Sequence, residues 1–320
     1  MLVGCVNEEE IMRVYKQLKK HFDINCLGEA RQFLGLEITK DPEGIYSLSL
    51  HSHIKRVIET FGMKDAKVTR TPMDRGYMKN ESKSEAMKDI TMYRSLVGAL
   101  MYIAVCARPD IAVSVAILGR EFSTPCVKDW IAAKRVLRHL KGTADWKLRL
   151  GGLNKGDLEA FSDSDWAGDP TTRKSTTGFV VFFAGGAVSW ASRRQSCVSL
   201  SSMEAEYVAL GETCQEVIWL RHLLEDLGEK QKKATIIHED NQGCLTFVQL
   251  EKTSRRSKHI DTKKCFIRDL CEREVIKLEY CPSEMMRADI FTKPLGCVKH
   301  QNFTTLIGLQ SSRGETAEEE

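Results

Sequence analysis

Residues 158–192, LEAFSDSDWAGDPTTRKSTTGFVVFFAGGAVSWAS, carry the strongest strand signal in the chain. Residues 158–163 alternate as a strand with one buried face does, and Gly178–Ala184 form a continuous apolar run. The pair Gly185-Gly186 is typical of a tight turn, and Ala187–Ser192 follows as a third strand. Three consecutive strands joined in this way predict an antiparallel meander.

A long helix and further strands follow this meander. Ser201 and Glu204 form a capping-box pattern that opens a helix over 202–227, and Gly228 ends it. Strands are predicted at 234–239 and 275–281, and helices near 241–249, at 256–273 and from about 284. Because helices separate the later strands, those strands should pair in parallel. The order βββαβααβα therefore predicts a mixed α/β fold, a five-stranded sheet covered by helices.

The first half of the chain combines a hairpin with helices. Apolar residues at helical spacing predict a helix over 8–22. The turn Asp41-Pro42-Glu43-Gly44 separates strands at 33–38 and 45–50, and a helix follows over about 53–61. Residues 93–141 are again helical in pattern. This half is therefore predicted to be a hairpin flanked by helices, followed by a connector over 63–90 and a helical region.

The length of the chain predicts more than one domain, and a glycine-rich stretch marks a boundary between domains. At 320 residues the chain exceeds the usual size of one domain. Gly151-Gly152 and Asn154-Lys155-Gly156 interrupt the pattern and mark the best boundary. We expect domains over 1–85, 86–150 and 151–297, and a tail over 298–320 with a disordered acidic end.

Composition narrows the class of protein. The net charge of +3 is too small to indicate nucleic-acid binding by itself, although basic residues cluster at 173–174, 193–194, 255–258 and 263–264. Such clusters can follow phosphates or can be ordinary solvated charge. The 11 cysteines form no CxxC pair, which argues against zinc. The apolar stretches are too short for a membrane span, and the N-terminus turns acidic too early for a secretory signal. We expect an intracellular protein.

Acidic residues in separate local contexts are the candidate functional groups: Asp163 in FSDSDWAGD, Glu206 in SSMEAEYVAL, Asp240 in HEDNQG and Asp289 in RADIFTKPL. Their elements place all of them at one edge of one sheet. Hard divalent cations prefer such carboxylate oxygens, and a pair of cations can activate water and stabilise the leaving oxygen of a phosphodiester. The cluster therefore favours a metal-dependent nuclease.

Each of these acids also has a structural alternative. Strand alternation places Asp163 and Asp165 on one face, so either could bind a metal, and either could instead form a turn. Glu206 lies on the rim of an apolar helix face, where charges are often merely solvated. Asp240 and Asp289 stand near helix starts, where a carboxylate is often a cap. Only their combination points to metal.

Several motifs follow one another in the second half: DSDWAGDPTTRKSTTGFVVFFAGGAVSWASRRQ, LSSMEAEYVAL, EDNQG, SKHIDTKKCFIRD and ADIFTKPL. Together they resemble the ribonuclease H domain of copia-type retrotransposon Pol polyproteins. Upstream, FLGLEIT, YRSLVGALMYIAVCARPDI and AAKRVLRHLKGT resemble the end of the reverse transcriptase palm, its thumb and its connection. The resemblance covers the chain to about Pro294.

The resemblance implies a ribonuclease H-like fold over 151–297, a palm remainder over 1–85 and a helical thumb and connection over 86–150. It implies that Asp163, Glu206, Asp240 and Asp289 bind two Mg²⁺ ions, or Mn²⁺ in their place, and cleave the RNA strand of an RNA–DNA hybrid. Implied partners are the hybrid and the remainder of the Pol polyprotein, in the cytoplasm, in virus-like particles or in the nucleus. Candidate nucleic-acid-binding residues are Arg173, Lys174, Asn241, Gln242, Arg256, Lys258 and His259.

Two departures from the family pattern affect this expectation. Copia-type reverse transcriptases carry a YVDD-like pair of polymerase aspartates directly before the segment that here reads Met1-Leu2-Val3-Gly4, so we expect no polymerase activity. The loop at 280–287, YCPSEMMR, lacks the histidine that cellular ribonucleases H carry near their last aspartate. Product release could then be slow, or His259 could substitute. The alternative to an enzyme is a catalytically silent remnant that binds nucleic acid or a protein partner.

Overall fold

The computed structural model describes residues 1–5, 7–79, 84–151, 156–249 and 258–311, with residues 79, 258–262 and 264 described by their backbone alone. The first half opens with a helix and a hairpin, continues through helices and ends in a strand. These elements are α1 (Glu8–Lys19), β1 (Gln32–Phe33), β2 (Leu36–Lys40), β3 (Tyr46–Ser49), α2 (His51–Thr60), α3 (Ile90–Cys106), α4 (Ala112–Gly119), α5 (Val127–Gly142) and β4 (Trp146–Leu150).

The second half follows the predicted order closely. Its elements are β5 (Leu158–Asp165), β6 (Thr176–Phe183), β7 (Gly186–Arg194), α6 (Ser202–Asp226), β8 (Thr235–Glu239), α7 (Gln242–Gln249), α8 (Lys258–Glu272), β9 (Ile276–Tyr280), a 3₁₀ helix (Arg287–Phe291), α9 (Cys297–Leu306) and β10 (Leu309–Ser311). The final helix, expected from about 284, is thus split into a 3₁₀ helix and α9.

The second sheet has the order β7-β6-β5-β8-β9. Strands β5, β6 and β7 pair antiparallel, whereas β5 with β8 and β8 with β9 pair in parallel. The parallel pairs are the ones whose connections contain helices, because a parallel crossover needs a long connection. The predicted mixed five-stranded sheet, with antiparallel pairing first and parallel pairing later, is confirmed.

The first sheet corrects the sequence-based expectation at two places. Its order is β1-β2-β3-β4-β10, so strands from both ends of the chain meet in it. Residues 146–150, expected as the end of a helical region, form β4, and the pattern WKLRL does alternate apolar and charged residues around buried Leu148. The segment expected as a tail, 298–320, contains most of α9 and all of β10, and its acidic end lies outside the described residues. The three residues of β10 carry no local strand signal and depend on pairing with β4.

The second sheet lies between two layers of packed side chains. Ala160 and Phe179 pack in a cluster with residues of α6 on one face. Phe161 and Val180 pack in another cluster with the 3₁₀ helix and α9 on the opposite face. Side chains from both layers can therefore meet at the end of β5. No helix in the described ranges is long and apolar enough to cross a membrane.

Candidate metal centre

Three carboxylates from three elements meet at one end of the second sheet. Asp163 comes from β5, Glu206 from α6, and Asp240 follows β8 directly. One oxygen of each lies within 4.8 Å of the others. Asp163 is 2% exposed and Asp240 is half-buried, so water screens their repulsion poorly. An all-oxygen group of this kind fits a hard divalent cation.

Strand pairing and one glycine fix Asp163. Gly178 lies directly opposite Asp163 in the neighbouring strand β6. A Cβ on Gly178 would lie 2.6 Å from Thr292 Cγ2 and 2.9 Å from Phe291 Cβ, so only glycine lets the 3₁₀ segment come this close. The Thr292 hydroxyl then donates a hydrogen bond of 2.6 Å to Asp163 Oδ2. The carboxylate is therefore held from the face opposite α6.

Helix α6 presents Glu206 with one oxygen unpaired. The helix begins at an N-cap, because the Ser201 hydroxyl accepts from the Glu204 amide at 3.1 Å, which places Glu206 in the first turns. Glu206 is 6% exposed, and its Oε2 has no hydrogen-bond partner within the described chain. Burial, with the carboxylates of Asp163, Glu239 and Asp240, raises the pKa of Glu206 well above its usual range. Such a buried, unpaired acceptor is what a cation would satisfy.

Asn241, and not Asp240, caps helix α7. Asn241 Oδ1 accepts a hydrogen bond of 2.9 Å from the Cys244 amide, which is the N-cap geometry. The structural alternative for Asp240 is therefore excluded. Its Oδ2 accepts instead from the Ser283 hydroxyl at 2.7 Å, which orients the carboxylate toward the group.

Glu239 is a fifth acid that the sequence analysis missed. It is fully buried, its Oε1 accepts from the Asn241 amide at 3.1 Å, and its Oε2 lacks a partner among the described residues. Burial raises its pKa well above the usual range, and the charges of Asp163 and Asp240 add to the effect. The signal was present, because alternation along β8 puts Glu239 on the same buried face as Thr235 and Ile237.

Asp289 adjoins the group through Asp163. It lies in the 3₁₀ helix, 2% exposed, and its carboxyl group shares a hydrogen bond with that of Asp163. Burial alone would raise the pKa of Asp289, but Lys293, the hydrogen bond with Asp163 and Lys299 together outweigh it and hold that pKa below its usual value. Burial instead raises the pKa of Asp163 well above the usual range, and the negative Asp289 adds to this.

Asp165, the rival to Asp163, has a structural role. Its Oδ1 accepts a hydrogen bond from the Thr176 amide at the end of the β5–β6 pair. Its carboxylate also packs over Gly168, where a side chain would collide with it. Asp165 lies outside the three-carboxylate group and closes the loop between β5 and β6.

Comparison with known proteins places the chain in a family. Residues 1–75 match the reverse transcriptase (RNA-dependent DNA polymerase) family model. The chain is 37% identical, over 98% of its length, to the retrovirus-related Pol polyprotein from transposon TNT 1-94 of Nicotiana tabacum. It is 32% identical to the putative transposon Ty5-1 protein of Saccharomyces cerevisiae, covering 68% of this chain and 71% of that protein. The chain belongs to the Pol polyproteins of copia-type retrotransposons.

The chain corresponds to a part of the larger Pol proteins. It spans 24% of the length of the tobacco Pol polyprotein. Among solved structures, the foamy viral protease-reverse transcriptase in complex with dsDNA is similar, with a TM-score of 0.49 and 12% identity over 88% of this chain and 53% of that one.

The candidate nucleic-acid-binding residues of this Pol chain are only partly described. Arg173 is exposed and Lys174 half-buried in a loop that Asp169 holds by accepting from the Thr171 and Thr172 amides at 3.0 Å. Gln242 is exposed, whereas the side-chain oxygen of Asn241 is occupied by capping. Arg256 and the side chains of Lys258 and His259 lie outside what the structure describes. Their predicted role stays a prediction.

A second group with metal-like spacing, Asp110, His139 and His300, does not fit a cation. The Arg108 guanidinium donates to both Asp110 oxygens, at 2.8 and 2.7 Å, and both side chains are fully buried. This ion pair already neutralises the carboxylate. His139 Nε2 lies 3.0 Å from Asp110 Oδ2, and His300 Nε2 lies 3.2 Å from the Asp110 carbonyl oxygen. The group ties α9 to the helical region.

Proposed function

We propose that this part of the Pol polyprotein is a magnesium-dependent ribonuclease H that cleaves the RNA strand of RNA–DNA hybrids. The observation that carries the proposal is the meeting of Asp163, Glu206 and Asp240, from three separate elements, around the unpaired Glu206 Oε2. Membership of the Pol family supports the proposal, because the motifs of residues 151–297 resemble the ribonuclease H domain of such polyproteins. The metal and the reaction are both part of the proposal.

The carboxylates have distinct tasks in this proposal. Asp163, Glu206 and Asp240 hold one cation, and Asp163 together with Asp289 holds a second. Mg²⁺ bound there would activate water and stabilise the leaving oxygen of the phosphodiester. Two hydroxyls keep the ligands in place, since Thr292 donates to Asp163 and Ser283 donates to Asp240.

Substrate contacts are expected on a basic rim formed by Arg173, Lys174, Arg193 and Arg194. Arg193 and Arg194 are exposed at the end of β7, and Arg194 is also tied to the Arg173 loop through Asp169 at 3.1 Å. Cationic side chains at such a rim can follow the phosphates of the DNA strand, while the RNA strand is recognised through its 2′-hydroxyls. The remainder of the polyprotein would be a further partner, and the site of action would be inside the cell.

The test is cleavage of a hybrid labelled on the RNA strand, with Mg²⁺ varied and with chelator as the negative arm. Wild type should cut the hybrid but neither single-stranded RNA nor duplex DNA. Asp240→Asn should lose more than about a hundredfold in rate, because even outer partners of metal ligands contribute about 10–100-fold. The matched control is Asp157→Asn, which changes an exposed aspartate, paired with Lys233 at 3.2 Å, before the other end of β5.

Thermal unfolding of each variant confirms that the fold survives. Equal cleavage by wild type and Asp240→Asn, or full activity in chelator, would refute the proposal. Hybrid binding without cleavage by the wild type would favour the silent remnant instead.

A further inference from the structure

Positive charge is concentrated on one side of the carboxylate group. Lys293 Nζ lies 2.5 Å from Asp289 Oδ1 and 3.9 Å from Asp163 Oδ2. Lys299 Nζ forms an ion pair with the other Asp289 oxygen. In the described part of the chain, Glu206 and Asp240 form no such ion pair. The two sides of the centre therefore differ in how their negative charge is balanced.

These ammonium groups stand where a cation shared by Asp163 and Asp289 would have to bind. A divalent ion needs oxygen ligands at about 2.0–2.6 Å, and the same oxygens are already within bonding distance of lysine nitrogens. One set of oxygens cannot serve an ammonium and a divalent ion at full strength together. The lysines are 45% and 42% exposed, so their long stems can turn toward water when they are displaced.

Both lysines lie on backbone segments that the fold holds in place next to Asp289. Lys293 follows Asp289 by four residues and extends the same segment. Lys299 lies on α9, and its neighbour His300 is buried against the Asp110 carbonyl of the helical region. The pairing is therefore built into the fold on both sides of Asp289.

We propose that Lys293 and Lys299 are built-in counter-cations of the Asp163–Asp289 side. They hold the Asp289 carboxylate in place in the metal-free protein, and they must be displaced before a second divalent ion binds. The first ion binds at Asp163, Glu206 and Asp240 without this competition. The inference rests on the proposed metal centre and adds an order of loading to it.

The test is calorimetric titration with Ca²⁺, which gives binding without turnover, on wild type, Lys293→Gln, Lys299→Gln and the double variant. The weaker binding step should tighten by about fivefold for each lysine removed, as expected for loss of a partly exposed ion pair of about 1 kcal/mol. The tighter step should not change. Lys230→Gln is the matched control, because Lys230 makes an exposed 2.5 Å ion pair with Glu225 far along α6.

Thermal unfolding gives a second readout that does not depend on activity. Without metal, the double variant should melt below wild type, and saturating Ca²⁺ should remove most of that difference. An unchanged or weakened second step in the double variant, with hybrid cleavage intact in the wild type, overturns this inference alone. A wild-type protein that binds no divalent ion overturns the proposed function together with it.

Discussion

Substitution of Gly178 by alanine should separate the 3₁₀ segment from the sheet at the point where it holds Asp163. The added Cβ would lie 2.6 Å from Thr292 Cγ2, 2.9 Å from Phe291 Cβ and 3.0 Å from the Phe291 carbonyl carbon. Since carbon atoms in contact prefer about 3.5–4.0 Å, the segment must retreat by about 1 Å. Two of the three contacts are with Phe291 and include its backbone, so side-chain rotation alone cannot relieve them.

The expected magnitude follows from this overlap. Overpacking of this kind costs about 1–3 kcal/mol, and replacing a strand glycine returns about 0.5–1 kcal/mol of that. Gly178→Ala should therefore lower the free energy of unfolding by about 0.5–2 kcal/mol. A shift of about 1 Å in Thr292 and Asp289 relative to Asp163 should lower hybrid cleavage by about a hundredfold.

Urea unfolding and cleavage of labelled hybrid measure the two effects in parallel. Gly98→Ala in α3 is the control, because Gly98 is an exposed helix position where an added Cβ meets no neighbouring element within 4 Å, so the change should stabilise the helix by up to about 1 kcal/mol. If Gly178→Ala matched wild type in both assays, the close approach would have no role. A destabilised but fully active variant would mean that the 3₁₀ segment does not position the acids.

Three further predictions concern single side chains. Asp163→Asn should abolish hybrid cleavage while Asp165→Asn retains most of it, because Asp165 accepts a hydrogen bond within the loop and lies outside the carboxylate group. The reverse result would mean that Asp165, and not Asp163, is the metal ligand. Thr292→Val keeps the side-chain shape but removes the 2.6 Å hydrogen bond to Asp163, so Ca²⁺ affinity should fall by about tenfold, and unchanged affinity in calorimetry would show that the hydroxyl does not orient the ligand. Because the pKa of Glu239 is raised in the folded protein, its carboxyl group costs stability as pH rises above the usual range of about 4. Metal-free Glu239→Gln should therefore match wild type in urea unfolding at about pH 4 and exceed it at about pH 8; a constant difference across this range would mean that Glu239 ionises normally.

Much of the fold could be predicted from local pattern. Residues 202–227 were expected as a helix and form α6 at Ser202–Asp226, because a capping box, a long apolar face and a final glycine all act locally. The β5–β7 meander was predicted because strand alternation and the Gly185-Gly186 turn are also local signals. Strand β10 could not be predicted, since its three residues become a strand only by pairing with β4, more than a hundred residues away.

Which residues form the site could be predicted better than how those residues contact one another. Asp163, Glu206 and Asp240 could be proposed because each carries a recognisable local motif, and the structure brings them together. Glu239 was not among the predicted acids, which included only Asp240 from the motif HEDNQG. The pairing of Asp289 with Lys299 depends on how α9 packs, which no spacing in the sequence encodes.

Anomalous diffraction from crystals grown with Mn²⁺ tests the central claim most directly, because it locates the ion without assuming a reaction. We expect an anomalous peak within about 2.0–2.6 Å of oxygens from Asp163, Glu206 and Asp240, and its loss in Asp240→Asn. No peak at these carboxylates in the wild type, or one bound instead by Asp110, His139 and His300, would contradict it.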